Sequence, residues 1–335
     1  MRRLELTVVQ LEEAKRFIQT DRIPYLRLAL LLLDNAAEVL MHRAIQDELT
    51  YSEWYSQMAA SLRSIPQEEA EKRRLLSESE PKIILGKRQQ SFDRYFNEKV
   101  NFLSQERQHI SMPVARVLKH IHDYRNEAYH NDRVRPDSIR PAVLILFDVA
   151  FTLLATLPLH STTWHGGDSE AWLERYGFSR YHYAANDIQT SISDALRVDL
   201  PLEVEGVRAA LTAHLRSRLD GIEESIDFII DNAQPDRSRE EVLKAVQYWN
   251  ADRSRTPWSF GEQSLSQFPP RYTPASIEEW RREVSALEGV ADKLELFNWF
   301  ADIEDEFEPL EGLLNEVAGL IDSALQAEMD RMGGK

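Results

Sequence analysis

Arg125, Asn126 and His130 fall within about one and a half helical turns, in the stretch Arg125-Asn126-Glu127-Ala128-Tyr129-His130. Together these side chains suit one chemistry, the cleavage of RNA without a metal. Attack by the strand's own 2'-hydroxyl needs a base for the hydroxyl proton, an acid for the departing 5'-oxygen and a cation for the charged phosphorus. Histidine titrates near neutrality and serves as base or acid. Arginine stays charged and meets phosphate oxygens with a planar fork of donors. Asn126 is suited to orient an imidazole or to bind a phosphate oxygen. His122, Tyr129, Arg133 and, from another segment, Glu38 are the candidates for support or RNA binding.

The spacing carries little by itself. An arginine followed by a histidine after four to six intervening residues occurs four times, at Arg116 and His122, Arg125 and His130, Arg175 and His182, and Arg208 and His214. Only Arg125 is followed directly by Asn, Asp or His, so Asn126 gives the stretch its weight.

The element that must position these residues is a helix opened by Pro113. Val114, Val117, Ile121, Tyr124 and Ala128 mark its core face. At about 100° per residue, Asn126 and His130 lie roughly 40° apart on a different face, with His122 and Arg133 nearby. Arg125 lies roughly 140° around from His130, so an ideal helix does not aim both at one phosphate. Either the helix ends near Asn131 or the site is shared between chains. Upstream, Thr7 to Gln19 reads as a short amphipathic helix. Pro24 then precedes a long one with the stripe Leu26, Leu30, Leu33, Ala37, Leu40 and Ala44. Asp34, Glu38 and His42 occupy another of its faces. A connection with a short exposed helix is expected over 61–81, a helix over 90–105, and a buried apolar helix over 138–157.

An arginine followed by an amide, with a histidine at this spacing in an all-α setting, resembles the signature of the HEPN superfamily of small helical bundles. The resemblance covers roughly residues 5–157. It implies a metal-independent endoribonuclease of the toxin or phage-defence kind, with Arg125, Asn126 and His130 as catalytic residues. It also implies a homodimer of bundles that brings two motifs together, and products ending in a 2',3'-cyclic phosphate and a 5'-hydroxyl. In that family the opening apolar helix carries acidic or amide residues on its inner polar side, here Asp34, Asn35 or Glu38. In the toxin branch silenced by adenylylation, a tyrosine stands two residues after the histidine; this chain has Asp132 there.

Composition bounds the rest. The 335 residues imply about two domains, and 12 Gly with no Cys and abundant Leu, Ala, Glu and Arg at helical spacing predict an all-α chain. The expected domains are a helical bundle over 1–160, an aromatic-rich connection over 161–190 and an acidic helical domain over 191–335. The net charge of -16 is confined to one half. Residues 1–150 hold 23 basic and 22 acidic side chains, whereas 151–335 hold 17 and 34. Between Arg63 and Arg135 the balance is positive, 15 against 11, which suits phosphate. The acidic half reads as a regulator or as a docking surface for a protein regulator or antitoxin.

The absence of cysteine fits a cytoplasmic protein. The apolar run Leu28 to Leu33 is too short to cross a bilayer, so no membrane partner is expected. No glycine-rich phosphate loop, dinucleotide fingerprint, serine elbow or zinc-binding helix motif occurs, and the chemistry calls for no cofactor. His160, His165 and Asp168 form no credible metal set, and Asp302, Glu304, Asp305, Glu306 and Glu308 read as a solvated acidic face. Trp258, Phe260, Phe268 and Arg271 read as cover for the second domain's core. Two other functions fit the same residues: a non-catalytic dimerisation and partner-binding protein, and a nucleotide-binding sensor in which Arg125 and His130 hold phosphate without cleaving it.

Overall fold

A computed structural model of the chain describes residues 2–64, 69–130, 135–158, 174–178, 185–254, 256, 259 and 265–332. Among these the chain is all-α, with no strand. It divides into two compact units, Met1–Glu203 and Val204–Lys335.

In the first unit, α1 (Arg2–Thr20) packs along α2 (Ile23–Ser64), a 42-residue helix on which the other helices assemble. The turn between them is set by Asp21, whose φ of 51° ends α1 in the left-handed region that Asp tolerates better than most residues. The predicted stripe on α2 is buried throughout, from Leu26 to Ala44. After α3 (Glu69–Ser79), α4 (Gly86–Arg94) and α5 (Phe96–Asn101) replace the single helix expected over 90–105. Tyr95 breaks it with extended dihedrals, φ -120° and ψ 119°. The break lets Phe92 and Phe96 both reach the core while Tyr95 stays exposed. A π-helical turn, Phe102–Glu106, then buries the consecutive residues Phe102, Leu103 and Ser104. α6 (Met112–His130) carries the core face predicted for it, with Val114, Val117, Ile121, Tyr124 and Ala128 all buried.

α7 (Ile139–Thr156) is the buried apolar helix expected over 138–157. With 18 residues at a mean hydropathy of 1.8 it is long and apolar enough to cross a membrane, yet 72% of it is buried within the structure. Its neighbours are α1, α2, α6 and α8 (Ala185–Val198). Ser193 Oγ donates to the Phe151 carbonyl, and Arg197 reaches the Asp148 carbonyl and the Thr152 hydroxyl. The first unit runs on through α8 to Glu203. Most of the expected connection, including His165 and Asp168, lies outside the described residues, as does His160.

The second unit contains α9 (Val204–Ala233), α10 (Arg239–Ala251), α11 (Pro274–Ala286) and α12 (Lys293–Met332). It holds 14 basic and 27 acidic side chains. α12 runs unbroken past Pro309 and buries Phe297, Phe300 and Phe307. Glu304 is no part of a solvated face. It is fully buried, ion-paired to Arg218 and 3.3 Å from His214 Nε2. Arg218 Nε also stands 3.1 Å from both oxygens of Glu311, with its guanidinium 4.8 Å from the Phe307 ring centre.

A buried amide fastens the loop ahead of α11. Gln247 Nε2 donates to the Tyr272 carbonyl at 2.8 Å, and the Tyr272 N–H donates to Gln247 Oε1, also at 2.8 Å. Gln247→Leu leaves that N–H without its acceptor in an apolar surrounding, a loss of about 1–3 kcal/mol. A lower denaturant midpoint at unchanged m-value is the expected reading.

Candidate functional site

The candidate residues gather where α6 crosses α2 and α5. Asp34, on α2, is only 1% exposed, and a buried carboxylate is stable only when hydrogen-bonded and neutralised. Two residues one turn apart on α6 do this. His122 Nδ1 lies 3.0 and 3.1 Å from the two Asp34 oxygens, and Arg125 Nε lies 3.4 Å from Oδ2. The His122 ring stacks on Phe96 with centroids 3.8 Å apart and planes within 4°, so its orientation is fixed from two sides.

Arg125 turns toward Asn126. Its Nη1 donates to Asn126 Oδ1 at 2.9 Å, and the guanidinium lies 5.4 Å from the ring centre of the exposed Tyr129. The long arginine side chain thus reaches around the helix to the amide of its neighbour Asn126. With Oδ1 accepting from the arginine, the Asn126 amide nitrogen is left to donate elsewhere. His130 closes α6, but its side chain lies outside the described residues, as do Asp132 and Arg133.

Glu38, one turn along α2 from Asp34, forms an ion pair of 2.8 Å with Lys99, a lysine only 3% exposed. This pair fastens α5 to α2, so Glu38 supports the wall of the site. The last turn of α6 is held by two arginines that the sequence motif does not include. Arg27 donates to the Ala128 carbonyl, one of the terminal acceptors that a helix leaves open. Arg135 makes a two-pronged contact with Glu127, 3.0 Å on each prong, over the Tyr124 ring. Both cations also suit the negative end of the helix dipole.

Beside these residues is a groove of about 680 Å³. Asn126, His122 and Asp123 line one side; Ser91, Arg94 and Tyr95 of the α4 end and Phe96, Asn97 and Glu98 of α5 line the rest. Its volume falls in the range of small-molecule sites, about 300–1,000 Å³. The break at Tyr95 is what opens it, because a continuous helix would carry no such corner. Three positions thus matter that the sequence left in the background: Asp34, His122 and Tyr95. The only sequence signal for the first two was an acidic residue on the polar side of α2 and a histidine one turn before Asn126.

Compared with models of protein families, with characterised proteins and with solved structures, this chain matches none.

Proposed function

We propose that this protein is a metal-independent RNA endonuclease. The observation that carries the reading is the joining of Arg125 and His122 at one buried carboxylate, with Asn126 bonded to Arg125 and, like His122, lining a polar groove. In this reading Arg125 stabilises the pentacoordinate phosphate, Asn126 orients it through its free amide nitrogen, and His130 transfers a proton. Tyr95, exposed on the groove wall, offers a face on which a base can stack. The resemblance of the Arg125 to His130 stretch to the HEPN signature supports the same chemistry and a homodimeric, composite site. The acidic second unit disfavours non-specific RNA contact by like-charge repulsion and suits a basic protein regulator.

The test is cleavage of total RNA by the full chain in excess EDTA, beside Arg125→Ala and His130→Ala. Wild type is expected to release fragments with 2',3'-cyclic phosphate and 5'-hydroxyl ends, and both variants to lose this. Equal cleavage by all three, or 3'-hydroxyl ends, refutes the reading.

A further inference from the structure

We infer that His122, held by Asp34, is the base that takes the 2'-hydroxyl proton of the RNA bound in the groove, a role that the arginine-to-histidine motif does not include. The inference rests on the nuclease reading and assigns the proton step to a particular atom.

An imidazole acts as a base when one nitrogen is protonated and held while the other presents its lone pair to the substrate. Here Nδ1 faces both oxygens of Asp34, which accept and do not donate. That contact places the proton on Nδ1 and leaves the lone pair on Nε2. Nε2 makes no hydrogen bond among the described residues, and His122 lines the groove. The His122 side chain is 15% exposed, enough for ligand contact through one edge while Phe96 covers its face. The same carboxylate holds Arg125, so the cation that meets the phosphate and the base that meets the adjacent hydroxyl share one anchor. Asp34 acts through His122 and Arg125 and is a positioning residue.

The step balances without a further reagent. Nε2 removes the 2'-hydroxyl proton as O2' bonds to phosphorus, and the bond from phosphorus to O5' breaks. O5' leaves with a proton from a second acid, the role that the motif gives His130. The imidazolium formed at His122 is stabilised by Asp34.

Single-turnover cleavage of a short oligoribonucleotide by the full chain tests this. His122→Gln should lower the rate about 10²–10⁴-fold, the usual contribution of a positioned base. RNA affinity should stay within about threefold, since the loss is confined to the transition state. Added imidazole should restore part of the rate of His122→Ala and none of that of Arg125→Ala. A residue that only supported the fold would not respond so. Asp34→Asn should lower kcat without raising KM, because an amide can present its NH2 to Nδ1 and reverse the tautomer. His120→Gln, on the same helix, should match wild type.

If His122→Gln cleaves at the wild-type rate while Arg125→Ala and His130→Ala are inactive, the base assignment fails and the nuclease reading stands. If wild type cleaves no RNA, both fail. Should the His122 variants not fold, uridine 3'-monophosphate added to the wild-type protein is expected to shift the His122 Nε2 resonance, and no shift at saturation overturns the assignment.

Discussion

Arg125→Ala is expected to lose about 10²–10³ in the single-turnover rate of RNA cleavage, the effect of removing one preorganised donor from an oxyanion site. Arg125→Lys should recover little of it, because a point charge cannot bond Asn126 and two phosphate oxygens with one fixed plane. The geometry gives the reason: the guanidinium is held by Asp34 at 3.4 Å and Asn126 at 2.9 Å before any ligand arrives. Arg125→Ala should also lower thermal stability, because it removes the cation that faces the buried Asp34, whereas Arg125→Lys keeps a charge there. A composite dimeric site adds a sharper outcome. Mixing inactive Arg125→Ala with inactive His130→Ala should restore a fraction of activity, because mixed dimers then hold one intact pair. No recovery in mixtures shown to exchange subunits would confine the site to one chain.

The largest effect on stability is expected at Arg218 in the second unit. Arg218→Met keeps the aliphatic packing and removes the cation that faces Glu304, a carboxylate with no solvent exposure. Removing one partner of a buried ion pair typically destabilises by about 3–5 kcal/mol. Hydrogen exchange should show it as faster opening of α9 and α12 amides, with a melting point lower by roughly 10–20 °C. Adding Glu304→Gln should return much of the loss, because the penalty comes from the charge and an amide carries none. An Arg218→Met protein as stable as wild type would mean that Glu304 ionises without help from the guanidinium.

The helical core was readable because it rests on period. The α2 stripe and the α6 core face each repeat every three or four residues, and each is buried as predicted. Where period stopped, reading stopped. Tyr95 breaks a helix with no glycine or proline to announce it, because burial of Phe92 and Phe96 outweighs continuity. Glu304 looked solvated among acidic neighbours, since its partners His214 and Arg218 lie 90 and 86 residues away. At the site, Arg125 and Asn126 were visible as a dipeptide. The pairing of His122 with Asp34 spans 88 residues and depends on how two helices cross, which no local pattern records.

A single ribose offers the most direct test of the central claim, that this groove cleaves RNA by attack of its own 2'-hydroxyl. Once a cleavage position has been mapped in an oligoribonucleotide, the same strand is made with one 2'-deoxy nucleotide on the 5' side of that bond. The substituted strand should bind as before and remain uncut at that position in EDTA, with cleavage elsewhere retained. Unchanged cutting at the 2'-deoxy position would mean that water or another nucleophile attacks the phosphate, and would contradict the roles given to Arg125, His122 and His130 together.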